Sequence, residues 1–237
     1  MSEILGILGG MGPLASAEFL KTLYEFNMQA KEQSAPRCIL YSDPSIPDRT
    51  EAILRNDTEE VLQRIVRGLD RLRDQGATRY VIACISSHYL ADRLPVLYRN
   101  SMISLIEVAL KEAQQFPGNC LLLATTGTVQ AKSFQQHPLW SQLEGKLKVP
   151  NPKDQNRIHD YIYSQIKPNL ELVDEDLFRH LKDEYEVDAF VAGCTEFHLV
   201  NKRLLESANP DFRFIDPLYS IGRELPKLLH KIQNRER

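Results

Sequence analysis

The sequence lacks any apolar run close to the roughly 20 residues that a membrane-spanning helix requires. It also lacks an excess of one charge, because 29 basic and 32 acidic side chains leave a net charge of −3, so nothing demands a nucleic acid or an anionic membrane as partner. Met1 leads straight into a strand-like run without a basic region, so we expect no secretory signal. The four cysteines form no disulfide-type framework of spacings, which favours free thiols and a cytoplasmic location.

Short apolar runs alternate with amphipathic helices along the 237 residues. We expect strands at residues 4–8, 38–41, 80–83 and 120–124. A helix should begin at Pro13, with Ala17, Leu20, Leu23 and Tyr24 on one face. A second helix should run from Asp57 to Gln75, with Asp57 and Glu60 as a capping-box-like start and Gly76 as its stop. Its buried apolar stripe should consist of Val61, Ile65, Leu69 and Leu72.

Strands alternating with helices predict an α/β fold whose mostly parallel sheets are covered on both faces. The chain also repeats itself, because Tyr80–Cys84 resembles Phe190–Cys194, and each segment is an apolar strand that closes on cysteine. We therefore expect two pseudo-symmetric lobes, at residues 1–100 and 101–212, with the active site in the cleft between them. The remainder, 213–237, should hold a helix at about 217–234 that packs back on the first lobe.

Cys84 and Cys194 are the strongest chemical signal, since each ends a strand where parallel sheets place their functional residues. A thiol on one lobe and a thiolate on the other would act as opposed acid and base, which suits inversion at a carbon atom. Either cysteine alone is more simply a small buried hydrophobic residue, and a disulfide between them is a further alternative. Their matched positions in a repeat favour the catalytic interpretation. Cys38 and Cys120 each open a strand and are expected to pack in the core.

Two other patterns compete with this interpretation. Cys-x-x-x-His occurs twice, ending at His88 and at His198. Structural zinc sites favour Cys-x-x-Cys spacings, so we expect no metal. We interpret both histidines as helix-start residues that bond backbone or solvent. Gly10-x-Gly12-x-x-Ala15 formally matches a dinucleotide fingerprint, although Pro13 interrupts the loop and no acidic residue closes a second strand. Such a turn at a helix N-terminus also binds a carboxylate, as would the turn at 125–128, and ordinary tight turns are the alternative.

Arg49 lies in Pro47-Asp48-Arg49-Thr50 and has the planar fork that grips a carboxylate. A solvated surface arginine is the competing interpretation.

At these residues the sequence resembles the aspartate/glutamate racemase family over nearly its whole length. The matching stretches are Gly6-Ile7-Leu8-Gly9-Gly10-Met11-Gly12-Pro13, Tyr41-Ser42-Asp43-Pro44, Ile46-Pro47-Asp48-Arg49-Thr50, Leu123-Ala124-Thr125-Thr126-Gly127-Thr128, Gly193-Cys194-Thr195-Glu196 and Ile215-Asp216-Pro217. Several long motifs in the right order are specific where any one alone would be weak.

The resemblance implies a cofactor-independent racemase of an acidic amino acid, aspartate foremost, that works as a homodimer. It also implies that Cys84 and Cys194 are the catalytic pair and that Arg49 and Lys167 bind the substrate. Residues around the bound substrate are matched by Met11, Ser86, Thr126 and Thr195.

One departure concerns Ile85, which stands where the family carries asparagine in Cys-Asn-Thr-Ala-His, whereas this chain reads Cys84-Ile85-Ser86-Ser87-His88. Ser86 can replace the threonine hydroxyl, but an isoleucine cannot replace the amide. The sequence therefore leaves aspartate, glutamate and another acid open as the preferred substrate. It also leaves three other functions open: a related isomerase or decarboxylase acting on a small diacid, a non-catalytic amino-acid-binding module, and a nucleotide-dependent enzyme.

Overall fold

The structure is a computed structural model that describes residues 3–169, 171–207 and 211–230. The strands are β1 (Ile4–Gly9), β2 (Arg37–Ser42), β3 (Arg79–Ile82), β4 (Cys120–Ala124), β5 (Leu147–Lys148), β6 (Ala189–Gly193) and β7 (Phe214–Ile215). The α-helices are α1 (Pro13–Asn27), α2 (Arg49–Leu54), α3 (Glu59–Asp74), α4 (Val96–Ser101), α5 (Leu105–Gln115), α6 (Thr126–Gln130), α7 (Pro152–Tyr161), α8 (Lys167–Asn169), α9 (Glu175–Tyr185), α10 (Phe197–Glu206) and α11 (Pro217–His230). A π-helical turn, Ile162–Ile166, joins α7 to α8. No helix in the described ranges has the length and apolarity to cross a bilayer.

The strands form two separate parallel sheets, as the sequence predicts for a two-lobed α/β fold. The first has the order β2-β1-β3, and the second has the order β5-β4-β6-β7. In both sheets the first strand in sequence lies between the second and the third, and β7 then extends the second sheet along β6. This shared order is the structural form of the internal repeat, and it makes β3 the counterpart of β6.

Alternate residues of each sheet face a single apolar core that lies between the two lobes. This shared core takes Leu5, Ile7 and Val81 from the first sheet and Leu122 and Val191 from the second, together with residues of α1, α5 and α11. The intervening strand residues face two outer cores, one built on α3 and one built on α7, α9 and α10. This alternation follows from the two-residue period of a strand.

The buried face of α1 differs from the prediction. Phe19 and Leu23 are buried in the shared core, but Ala17 is exposed, and the polar residues Ser16 and Thr22 are buried instead. Ser16 Oγ accepts a hydrogen bond from the Gly10 amide at 3.1 Å and donates to the Gly12 carbonyl at 2.8 Å. Because a partner satisfies its hydroxyl, Ser16 is buried without an unpaired polar atom, and apolar periodicity alone does not predict such burial.

Helix α3 has the predicted apolar stripe but a different start. Val61, Ile65, Leu69 and Leu72 are all buried, and Gly76 adopts a φ of +93° just beyond the end of the helix, as a glycine stop requires. The N-cap is Thr58 and not Asp57, and its hydroxyl caps no helix amide. That hydroxyl instead accepts a hydrogen bond from Arg93 Nη1 at 2.9 Å, so tertiary contact replaces the expected capping box.

Helix α11 packs on α1 of the first lobe and on α5. Asn27 Nδ2 donates to the Gly222 carbonyl at 2.7 Å, and the rings of Phe26 and Tyr219 meet edge to face. The helix is described to His230, and the expected residues 231–234 lie outside the described ranges.

A buried polar network fixes the start of α11, and it corrects the interpretation of His198 as a helix-start residue that bonds backbone or solvent. His198 Nδ1 lies 2.6 Å from Asp216 Oδ2, and its Nε2 lies 3.0 Å from Thr22 Oγ1. Asp216 also accepts from Asn201 and from the amides of Leu218 and Tyr219. Since His198 and Asp216 are fully enclosed, each polar atom needs a protein partner, and the network joins α1, α10 and α11.

We expect Asp216→Ala to lower the free energy of unfolding by about 3–5 kcal/mol, because removing one member of a buried ionic network leaves the other polar groups without compensation. Asp57→Ala, at an exposed aspartate before α3, is the control and should stay within about 0.5 kcal/mol of the unaltered protein. Urea unfolding followed by circular dichroism measures both. Equal stabilities of the two variants would contradict a structural role for the network.

Candidate active site

Cys84 and Cys194 line one cavity where the carboxyl ends of the two sheets meet. Each cysteine follows a matched strand, β3 or β6, and each continues the strand residues that face an outer core. The cavity is lined by Met11, Asp48, Arg49, Thr50, Cys84, Ile85, Ser86, Thr125, Tyr163, Lys167, Cys194, Thr195 and Glu196. The repeat in the sequence therefore brings the two thiols to a common site.

The cavity is small. Its volume of about 10 Å³ is close to what one water molecule needs. Among the described residues, two groups of side-chain contacts join the lobes at the cavity, in addition to the hydrogen bond from Thr195 Oγ1 to the Ala83 carbonyl at 3.4 Å.

The first group centres on Asp48, at the N-cap of α2. Its carboxylate accepts a hydrogen bond from the Tyr163 hydroxyl at 2.8 Å and pairs with Lys167 Nζ at 3.4 Å. Burial raises the pKa of Asp48, but the Glu51 amide, Lys167 and Tyr163 outweigh burial and hold that pKa below its usual value. The π-helical turn places Tyr163 and Lys167 side by side, with the ammonium nitrogen 3.3 Å from the centre of the ring.

The second group is a cluster of three buried hydroxyls. Ser86 Oγ lies 3.2 Å from Thr125 Oγ1 and 2.9 Å from Thr128 Oγ1, which are themselves 3.1 Å apart. Ser86 belongs to the first lobe, and the two threonines begin α6 in the second. A hydroxyl can donate as well as accept, so the cluster can rearrange when a polar group enters the cavity.

The two cysteines have different charged neighbours. Arg49 faces Cys84. Burial lowers the pKa of Arg49, but Cys84 and Asp48 outweigh burial and raise that pKa above its usual value. Arg49 Nη1 donates to the carbonyls of Ile46 and Pro47 at 3.1 and 2.9 Å, which aims the rest of the group, and its Nε is buried with no partner among the described residues. An arginine held in this way is prepared to bind an anion.

Cys194 faces a carboxylate. Its Sγ donates a hydrogen bond to Glu196 Oε2 at 2.7 Å. Burial, followed by the charge of Glu196, raises the pKa of the Cys194 thiol well above its ordinary value. Lys167, on the same side, lowers that pKa but does not offset the other two effects. Cys194 is therefore a thiol in this state of the protein.

His88 bonds backbone, as interpreted from the sequence. Its Nδ1 lies 3.1 Å from the Cys84 carbonyl, and its Nε2 accepts a hydrogen bond from the Leu105 amide at 3.1 Å. Burial lowers the pKa of His88 to about 4, so the ring is neutral near pH 7. A neutral ring that bridges Cys84 to the start of α5 holds the end of β3 in place.

The glycine-rich turn after β1 is filled by protein. A side chain at Gly10 would lie 2.4 Å from the backbone of Asp43, and the Gly10 amide is already bonded to Ser16. This packing leaves little room for a pyrophosphate, so the turn gives no support to a nucleotide site. Within the described ranges, no group of three His, Cys, Asp or Glu side chains is placed to hold a metal ion.

Most of the substrate-binding residues expected from the sequence line the cavity: Met11, Arg49, Ser86, Lys167 and Thr195. Thr126 is placed differently. Its amide faces His159 Nδ1 at 3.4 Å, and the threonine that lines the cavity is Thr125.

Sequence reasoning gave no role to Asp48, Tyr163 or Glu196, all of which line the cavity. Asp48 and Glu196 adjoin residues that the sequence singled out, and that adjacency was the available signal. Tyr163 lies four residues before Lys167, the spacing at which two side chains share a helix face.

Comparison with known proteins agrees with this geometry. The Asp/Glu/Hydantoin racemase family model matches residues 8–220. The chain belongs to this family. It is an isomerase of the amino-acid racemase type.

A broad specificity amino-acid racemase, RacX from Bacillus subtilis (strain 168), is 22% identical to this racemase over 205 residues, which cover 83% of this chain and 87% of the relative. The solved aspartate racemase of Picrophilus torridus superposes with a TM-score of 0.77 at 24% identity, covering 95% of this chain and 94% of the other. A glutamate racemase from Campylobacter jejuni subsp. jejuni gives a TM-score of 0.62 at 19% identity, covering 94% and 85%. At these identities the two solved structures establish the two-lobed fold alone.

Proposed function

We propose that this racemase inverts an acidic amino acid, aspartate foremost, by a two-base mechanism in which Cys84 and Cys194 act from opposite faces of the α-carbon, without pyridoxal phosphate or metal. The observation that carries the proposal is the convergence of two thiols, from equivalent strands of two similar lobes, on one cavity. Inversion requires one group to remove the α-proton and another to return a proton to the opposite face.

The charges around the cavity support an acidic substrate. Arg49 is a cation on the side of Cys84, and its buried Nε has no partner among the described residues. Lys167 is a cation on the side of Cys194. Two cations on opposite sides suit two carboxylates on one small molecule. A substrate carboxylate that binds Lys167 has to compete with Asp48, so binding and the opening of the interlobe contact are coupled in this mechanism.

Lys167 also bears on the absence of a cofactor. Burial lowers the pKa of Lys167, but the contacts with Tyr163, Cys194 and Glu196 outweigh burial and raise that pKa above its usual value. A lysine that forms a Schiff base must lose its proton, and this lysine is held as an ammonium over an aromatic ring and beside a carboxylate. Lys167 is therefore suited to binding an anion and poorly suited to carrying pyridoxal phosphate.

Ile85 favours a compact substrate. It is 1% exposed, lies next to Cys84 and lines the cavity with an apolar side chain. With hydroxyls on the Ser86 side and cations at two points, the cavity offers few additional donors for a longer side chain. We place aspartate ahead of glutamate on this basis.

The proposal extends to a homodimer in the reducing cytoplasm. All four cysteines are free, and a mechanism that uses two thiols needs a compartment that keeps them reduced. Val96 and Leu97 of α4 are 58% and 55% exposed, and a subunit contact at α4 would bury this apolar pair.

We expect purified protein without additives to bring the optical rotation of L-aspartate to zero. Cys84→Ser and Cys194→Ser should each abolish inversion, because a hydroxyl is a far weaker acid than a thiol and one face of the carbon then has no base. Each variant should still exchange the α-proton of one enantiomer with deuterated water, and the two variants should act on opposite enantiomers. Proton NMR measures this exchange. Normal racemisation by either variant, or exchange of the same enantiomer by both, would refute the two-base mechanism.

Arg49→Ala should lower kcat/KM for aspartate by at least about 30-fold, since losing a charged, hydrogen-bonded clamp costs about 2 kcal/mol or more. Arg55→Ala is the matched control, because Arg55 follows the same short helix and its side chain is 74% exposed. Initial rates followed by polarimetry and unfolding curves for both variants measure the effect. If the two variants are equally active, Arg49 does not bind the substrate.

A further inference from the structure

Glu196 is the buried ionisable group at the cavity to which the mechanism above gives no task. It stands at the N-cap of α10 and is 2% exposed. Its Oε2 accepts hydrogen bonds from Cys194 Sγ at 2.7 Å and from Thr195 Oγ1 at 3.3 Å. The carboxylate therefore accepts a hydrogen bond directly from one of the two thiols.

The other oxygen of Glu196 has no hydrogen-bond partner among the described residues. It faces Gly12, where a Cβ atom would lie only 2.7 Å away, so the missing side chain at Gly12 makes room for it. A buried carboxylate oxygen without a partner is costly to the folded state.

The charges that face this pair come from both lobes. Lys167 and Arg49 both interact with Glu196, and Lys167 also interacts with Cys194. Lys167 is itself engaged with Asp48 and Tyr163, and Arg49 with Cys84. Cys194 and Glu196 thus form a thiol–carboxylate pair, whereas Cys84 has a guanidinium beside it.

This asymmetry raises a problem of proton counting. If both cysteines are thiols, neither is a base, and one proton must leave before an α-proton can be removed. Free thiolate at Cys194 would stand beside the carboxylate of Glu196, which like-charge repulsion disfavours. A group is needed that takes the Cys194 proton at the moment the sulfur accepts another.

We propose that Glu196 is that group, a positioning residue that exchanges a proton with Cys194 during each inversion. This inference rests on the proposed two-base function. In one direction the Cα–H bond breaks and an Sγ–H bond forms on Cys194, while the original Cys194 proton passes to Glu196 Oε2. The electron pair stays on the α-carbon until Cys84 gives its proton to the opposite face and becomes a thiolate.

The reverse direction begins where the forward one ends. The Cys84 thiolate removes the α-proton, Cys194 gives its proton to the other face, and Glu196 returns its proton to the Cys194 sulfur. Two protons are shared among the three groups in both states. The single negative charge of the three groups moves between Glu196 and Cys84, and Arg49 faces it when it is on Cys84. Cys194 is a thiol in both resting states, in agreement with the hydrogen bond that it donates to Glu196.

The first test does not depend on activity. Alkylation of Cys194 by iodoacetamide is measured between pH 6 and 10 from the mass of the peptide that contains it. The pH midpoint of thiolate formation should lie at least about one pH unit lower in Glu196→Gln than in the unaltered protein, because the negative charge of the carboxylate is gone. Glu60→Gln, at an exposed glutamate of α3, is the control and should leave the midpoint unchanged. An unchanged midpoint in Glu196→Gln would overturn the proposal even if the protein racemises aspartate normally.

The second test is the pH profile of kcat/KM. At pH 7, Glu196→Gln should lose about 10²-fold or more, the usual contribution of a proton-transfer partner. Both enantiomers must be affected equally, since the equilibrium constant of racemisation is one. Activity should recover as pH rises, because solvent then removes the Cys194 proton, and damage to the fold would not recover in this way. Unchanged activity at pH 7 would overturn the proposal.

Two further measurements separate proton exchange from a role of Glu196 in packing or in substrate binding. Glu196→Asp keeps a carboxylate and should retain the pH profile of the unaltered protein at reduced rate; if it behaves like Glu196→Gln, a carboxylate at this position is not what matters.

If Glu196 instead binds the substrate ammonium, Glu196→Gln should weaken inhibition by D-aspartate analogues that carry an amino group and spare succinate, which lacks one. We expect both classes of ligand to be affected within about threefold, and a selective loss would overturn the proton-exchange role.

Discussion

One continuous apolar core between the two sheets sets the geometry on which the cavity depends. Strand residues of both lobes pack against it together with α1, α5 and α11, so the ends of β3 and β6 are held at a fixed separation. Closely packed interiors transmit small displacements, and proton transfer between heavy atoms tolerates little error in distance. The network around His198 and Asp216 strengthens the same arrangement by joining α1 to α10 and α11.

Within that frame the cavity is symmetric in its sulfur atoms and asymmetric in its charges. Cys84 has a guanidinium beside it, and Cys194 has a carboxylate. In the proposed mechanism, the symmetry of the fold gives access to both faces of a carbon atom, and the asymmetry of charge sets where the negative charge rests between turnovers. Asp48 adds a third element, because it links the two lobes through Tyr163 and Lys167.

The sequence predicted the two-lobed fold because its strands repeat and end on the same residue type, and regular periodicity is the most dependable local signal. It did not predict the two-residue strands β5 and β7, which are too short to produce a pattern. It missed the burial of Ser16 and Thr22, because hydrogen bonds to distant residues make their burial possible. Tyr163 was missed for a similar reason, since its partner Asp48 lies in the other lobe. Glu196 bonds its own neighbours Cys194 and Thr195, and its place beside them was the available signal. Thr125 lines the cavity, whereas Thr126, the next residue, does not.

In the proposed mechanism, two separate groups handle the proton on the two faces of the α-carbon. The most direct measurement is the reaction of L-aspartate with the unaltered protein in deuterated water, stopped at low conversion, with the two enantiomers separated and analysed by mass. Two-base action predicts that the D-aspartate formed carries deuterium at the α-position while the remaining L-aspartate keeps its protium. D-aspartate that retains protium, together with deuterium in the recovered L-aspartate, would show that one group serves both faces and would contradict the account.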